Sequence, residues 1–176
     1  MKSNEDLMIE YQEGNVEALS ILYERLYEPL YCFLFRYTRE EQISVDTVHD
    51  VFEVLQKKKH VYNVKKGTIK TFSFQIAYRL LLNKLNRRKR WQSVLPFLLP
   101  TYKKQLPHED TLIIQQAIEN LPDKQKAVIL LAYYEDLTQE EIAVVLSIPP
   151  GTVKSRLHNA IKALKQALKE DFKHER

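Results

Sequence analysis

Apolar residues recur at three- and four-residue steps through most of the chain, and this spacing constrains the fold more than any other feature. Leu19, Leu22, Tyr23, Leu26, Leu30, Phe33 and Leu34 form one such run. Val48, Val51, Phe52 and Leu55 form a second, and Val153, Leu157, Ile161 and Leu164 a third. A stripe of that period lies on one face of an α-helix, whereas a strand would alternate every second residue. Only three glycines interrupt the 176 residues, and the prevalence of Leu, Ile, Ala, Lys, Glu and Gln favours helix. The expected fold class is all-α.

The spacing predicts a first helix over residues 3–13, with Leu7, Met8 and Tyr11 inward, and a longer one introduced by Asn15 and kinked at Pro29. Residues 46–55 form a third, and residues 57–70, basic and holding Gly67, a loop. From Thr71 to about Arg90 a fourth helix is apolar over most of its circumference. It is therefore central to its domain and leaves a narrow polar stripe of Gln75, Arg79, Asn83, Asn86, Arg87 and Arg90. Pro96, Pro100 and Pro107 then punctuate a linker, in which the run 94–99 is apolar enough to pack on something. Four more helices follow, the first capped by Asp110. The domain boundaries read as 1–92, a linker over 93–109, and 110–176.

Charge is partitioned along the chain. Residues 1–60 carry a net −5, residues 61–105 a net +11 with no acid at all, and residues 106–176 a net −2. No carboxylate occurs between Glu53 and Glu109. An acidic segment joined to a basic one suggests two different partners, the basic one anionic. A solvated surface is the alternative for any charge run, but here aromatic and amide side chains interleave the cations.

The most specific local pattern lies near the carboxy terminus. Thr138 and Glu141 form a capping box at the head of a short helix. Ser147 and Ile148 make a turn, and Pro149 and Pro150 preorganise the first turn of a longer helix. A short helix, a tight turn and a longer helix describe a helix-turn-helix at about 138–159. Ile142, Ala143, Leu146, Ile148, Val153 and Leu157 can fill its angle. Outward on the second helix stand Thr152, Lys154, Ser155, Arg156, His158, Asn159 and Lys162, residue types that read base edges and phosphates in a major groove.

These residues resemble a known family. The string LTQEEIAVVLSIPPGTVKSRLH at 137–158 resembles region 4 of bacterial σ factors, particularly the compact extracytoplasmic-function (ECF) group of the σ-70 family. Leu121-Pro122 with Gln125, Val128 and Leu131 resembles the helix that precedes it there. DTVHDVF at 46–52 resembles the segment of region 2 that binds the polymerase clamp, and Phe72, Ile76-Ala77 and Asn86-Arg87-Arg88 fall where region 2 has its aromatic, its Ile-Ala pair and its basic end. The two regions occur in the family's order and spacing, over nearly the whole chain. Against the family's habit, Ser147 stands where glycine is usual, His49 where glutamine is, Arg79 and Asn83 where asparagine and aspartate are, and Phe72 where tryptophan is.

The resemblance implies two small helical domains, a region-2 bundle and a region-4 helix-turn-helix, joined by a linker. It implies core RNA polymerase (the β′ clamp and the β subunit) and promoter DNA as partners, and admits an anti-σ protein as another. Asp46, Val48, His49, Asp50, Phe52 and Glu53 would meet the polymerase. Tyr62, Lys65, Lys66, Lys70, Gln75, Arg79, Asn83 and Arg87 would meet the downstream promoter element, Tyr62 either stacking on a base or merely packing. Trp91 reads as a helix-end core residue or, failing that, as a wedge between bases. The seven outward residues of the last helix would read the upstream element. A standalone helix-turn-helix regulator with a helical sensor domain is the alternative.

Enzyme chemistry finds no footing. There is no glycine-rich phosphate loop, and His49, His60, His108, His158 and His174 lack metal-ligand spacing with one another or with Cys32. No cofactor and no metal are expected. Cys32, the sole cysteine, reads as reduced and buried. Glu5, Asp6, Glu10 and Glu13 interrupt any secretory apolar core, and no stretch reaches the roughly 18 apolar residues of a membrane span. A cytoplasmic location without membrane insertion is the expectation.

Overall fold

The computed structural model describes residues 2–94 and 109–174, and every regular element among them is helical. The chain divides into two compact units, Met1–Lys103 and Lys104–Arg176. Most of the expected linker, including nearly all of the apolar run at 94–99, lies outside the described residues.

In the first unit, α1 (Asn4–Gln12) begins with an unforeseen capping box. The Asp6 amide donates to the Ser3 hydroxyl at 3.0 Å, and the Ser3 amide donates to the Asp6 carboxylate at 3.1 Å. The Ser3 side chain, and after it the Ser3 amide, hydrogen-bonds the Asp6 carboxylate and holds it below its usual range. Helix α2 (Val16–Thr38) starts where Asn15 accepts from the Glu17 amide at 3.2 Å, and runs through Pro29 to Arg39, whose left-handed backbone ends it. Helix α3 (Glu41–Lys57) begins more than a turn before the expected Asp46. The Ser44 and Thr47 hydroxyls donate back to the Glu40 and Ile43 carbonyls, so this extra turn holds buried polar groups without a side-chain cap. Two 3-10 turns, Lys59–Val61 and Val64–Lys66, lead into α4 (Ile69–Val94).

Helix α4 packs on α1, α2 and α3, the central place its apolar circumference demands. Leu22, Leu30, Phe33 and Leu34 of α2, Val48, Val51 and Leu55 of α3, and Phe74, Ala77 and Leu81 of α4 are fully buried. The Phe33 and Phe74 rings meet at 5.5 Å with a tilt of 56°. Truncating either to alanine would cost on the order of 3–5 kcal/mol. Cys32, on the flank of α2, is half-buried rather than buried, because the inward positions of its turn belong to Leu30, Phe33 and Leu34.

The second unit holds α5 (Glu109–Glu119), α6 (Asp123–Tyr133), α7 (Gln139–Leu146) and α8 (Pro150–His174). Asp110 falls inside α5 rather than capping it. Helices α5, α6 and α7 all pack on α8. The core is built from Ala117, Ile118, Leu121, Val128, Leu131, Ile142, Val153 and Ala160. Of the stripe expected on α8, only Val153 is fully buried; Leu157, Ile161 and Leu164 are half-covered, and Ala160 is fully buried instead.

Candidate nucleic-acid and partner interfaces

Helix α3 divides its candidate residues between two sides. Asp46, His49 and Glu53 are exposed and Asp50 is partly so, while Val48 is 0% and Phe52 5% exposed. Val48 is therefore corrected from a partner contact to a core anchor, since its period carries it beneath the acidic face. Phe52 also turns inward, its ring 4.6 Å from that of Tyr23, yet it still lines a groove between α2 and α3 with Tyr23, Glu24, His49 and Glu53. Tyr23, Tyr27, Tyr31 and Phe35 continue along α2 as a ladder of rings with centroids 5.3–6.2 Å apart. Burial pushes the Tyr23 and Tyr31 hydroxyls above their ordinary pKa. The ladder's i, i+4 spacing is legible in the sequence, yet the apolar stripe read there takes in only Tyr23 of its four rings.

The acidic face is tied to its own fold. Asp50 pairs with Lys84 of α4 at 2.7 Å, Glu40 with Arg88 at 2.6 Å, and Glu53 with Lys57. Gln42 donates to Asp46 at 2.8 Å. The Glu40–Arg88 and Asp50–Lys84 pairs escaped sequence reasoning because their members lie far apart in the chain.

On the basic side, Lys65 and Lys66 stand exposed on the second 3-10 turn, which Asn63 caps by accepting from the Lys65 amide at 2.9 Å. Arg79, Asn83 and Arg87 are exposed at i, i+4, i+8 and so form one row along α4. Gln75 is half-buried at the start of that row. Lys70 is half-buried too, its ammonium 5.8 Å from the centre of the Phe74 ring.

Tyr62 is corrected: it is 5% exposed and not available to stack on a base. Its ring meets Phe72 at 5.6 Å, its hydroxyl donates to the Gly67 carbonyl at 3.2 Å, and its own carbonyl accepts from the Gln12 side chain at 3.0 Å. Burial, with Glu5 nearby, pushes its pKa up to about 12. Trp91 reverses in the other direction. It is 55% exposed, not core, and lines a cleft with Ile43, Asp46, Lys84, Arg87 and Arg88.

In the second unit the turn geometry is explicit. The Glu141 amide donates to the Thr138 hydroxyl at 3.2 Å and the Thr138 amide to the Glu141 carboxylate at 2.9 Å. At the other end of α7, Ser147 adopts φ 53°, ψ 49°, and the Ile148 amide closes on the Ala143 carbonyl at 3.0 Å, a Schellman-type stop. Pro149 offers its carbonyl to the Thr152 and Val153 amides, which starts α8. Lys154, Ser155, His158, Asn159 and Lys162 face solvent, with Thr152 and Arg156 half-covered on the flank. The Ser155 hydroxyl donates to the Thr152 carbonyl at 3.0 Å.

Residues 111–164 match the model of the family described as "Sigma-70, region 4". The RNA polymerase sigma factor SigV of Bacillus subtilis is 29% identical over 151 residues, covering 82% of this chain and 88% of that one. The region-4 match and the likeness to ECF σ factors along most of the chain support an ECF factor of the σ-70 family.

Two solved complexes contain the same fold. The Bartonella quintana factor RpoE, solved with the anti-sigma factor NepR, superposes with a TM-score of 0.75 at 19% identity, covering 88% of this σ factor and 98% of that chain. CnrH, solved with the cytosolic domain of CnrY, gives 0.73 at 18% identity over 97% and 99%. Among the described residues of this σ factor, no group of three or more His, Cys, Asp or Glu side chains is placed to hold a metal ion. None of its described helices is long and apolar enough to cross a membrane.

Proposed function

We propose that this σ factor carries core RNA polymerase to promoters through three surfaces: the outer face of α3, the polar row of α4 with its preceding loop, and the outer face of α8. Residues 1–92 act as the region-2 domain, 93–109 as the linker and 110–176 as the region-4 domain. Asp46, His49, Asp50 and Glu53 meet a basic coiled coil on the β′ clamp. The groove that His49 and Glu53 line gives that partner an aromatic wall, while the charges steer and orient the encounter. The β subunit would complete the core contact.

Lys65, Lys66 and Lys70 hold phosphates of the downstream element, and Gln75, Arg79, Asn83 and Arg87 follow the strand. The upstream element is read as duplex by Thr152, Lys154, Ser155, Arg156, His158, Asn159 and Lys162 in the major groove. The protein would act in the cytoplasm as a DNA-binding adaptor without catalysis of its own. The structure of RpoE solved with the anti-sigma factor NepR makes an anti-σ protein a candidate regulator of this chain.

The observation that carries this reading is the outward, solvent-facing set on α8, placed on the second helix of a helix-turn-helix whose capping box and left-handed stop are both formed. Co-elution of the full chain with core polymerase on size exclusion tests it, followed by duplex promoter binding with and without core. A stable complex and DNA binding that depends on core are expected. Tight specific duplex binding by the free chain, with no affinity for core, would instead make it a standalone regulator.

A further inference from the structure

Trp91 is a large apolar ring left 55% exposed on the most cationic helix of the protein, among Lys84, Arg87, Arg88, Lys89 and Arg90. It extends the exposed Asn83–Arg87 row by another four residues, so Asn83, Arg87 and Trp91 share one edge of α4 on successive turns. Lys84 and Arg88 lie on the same side of these turns and line one cleft with Trp91, and their pairs with Asp50 and Glu40 fix this end of α4 to α3. Asp46, in the same cleft, disfavours a phosphate directly beside the indole. The ring face is left for a group that is flat and uncharged, while Arg87 stands one turn back for the adjoining phosphate.

From this placement we infer that Trp91 is a base-stacking residue: it takes the face of an unpaired nucleobase at the edge of the opened downstream element. The inference rests on the proposed σ-factor function and adds a recognition residue to it. Stacking of a base on an aromatic side chain tolerates any sequence, because every base has a π-face.

The test uses holoenzyme assembled from core polymerase and the wild-type chain, Trp91→Ala or Trp91→Phe. Each is measured for core affinity and for open-complex stability on intact promoters and on templates with single abasic sites across the downstream element. Trp91→Ala is expected to bind core normally and to lower open-complex stability roughly tenfold, equivalent to about 1.4 kcal/mol. Trp91→Phe should recover most of the loss. One abasic position should mimic the alanine variant and add nothing to it. Equal open-complex stability for wild type and Trp91→Ala, a defect confined to core binding, or full additivity at every abasic position would overturn the assignment. Failure of the wild-type chain itself to direct initiation would instead remove the function on which the inference stands.

Discussion

Arg88 of α4 places one guanidinium nitrogen 2.7 and 2.6 Å from the two carboxylate oxygens of Glu40, the residue that precedes α3. Both side chains are mostly covered, at 24% and 18% exposure. The pair joins the start of the acidic helix to the basic end of the central one. Glu40→Ala and Arg88→Ala should each destabilise the first unit by about 1–2 kcal/mol, with a coupling near 1 kcal/mol in the double-mutant cycle. Trp91 is the sole tryptophan, so urea unfolding followed by its fluorescence reads this unit directly. Additive losses would show the pair to be ornamental.

Ser147 holds a left-handed backbone at φ 53°, a conformation that glycine adopts without a Cβ clash. Ser147→Gly should raise the stability of the second unit by about 0.5–1 kcal/mol, and calorimetry should register a higher melting temperature. Ser147→Val should lower it, because a β-branched residue tolerates that region least.

Arg156 and Lys162 should differ in kind. With holoenzyme on duplex promoters, Arg156→Ala is expected to cost on the order of 1–3 kcal/mol and to relax the preference at one base pair. Lys162→Ala should weaken every sequence alike and reduce the salt slope by about one. A panel of single-base promoter variants titrated at several salt concentrations separates the two. Indistinguishable profiles would remove Arg156 from the reading role.

Tyr62 makes stability depend on pH at the alkaline end. Its folded pKa lies at about 12, above the ordinary value of 10. The protonated phenol is therefore favoured by folding, and its contribution is whole below pH 10. It declines as pH rises from 10 through 12, because the unfolded chain releases the proton first. Tyr62→Phe, which keeps the ring on Phe72, should lose less stability than wild type over that window. Parallel denaturation curves at pH 9, 10.5 and 11.5 check it; identical pH slopes would contradict the buried hydroxyl.

Much of this architecture was legible because short-range chemistry dictates it. Asn15 can satisfy an orphan amide two residues on, Thr138 and Glu141 cap each other across three residues, and Pro149-Pro150 can only open a helix. The inward stripe of α3 likewise follows from spacing alone. What escaped depends on residues distant in the chain. The first turn of α3 has no capping side chain to announce it, only buried hydroxyls and a guanidinium 48 residues on. Tyr62 sits in a loop whose composition resembles a solvated basic arm, and its burial rests on Gln12, Gly67 and Phe72. Val48 was counted on the outer face although its own stripe carries it inward. Spacing reads Trp91 as a helix-end core residue or a wedge, whereas it stands 55% exposed in a cleft beside Ile43 and Asp46 of α3.

The central claim is that one chain joins an acidic protein-docking face to cationic DNA-reading faces and thereby gives polymerase its choice of start site. Run-off transcription with core polymerase and linear promoter templates measures this most directly. Adding the chain should produce a discrete transcript from a promoter that core alone ignores, and the combined change Asp46→Lys and Glu53→Lys should abolish it without unfolding the protein. Transcripts with the same random starts in the presence and absence of the chain would contradict the account.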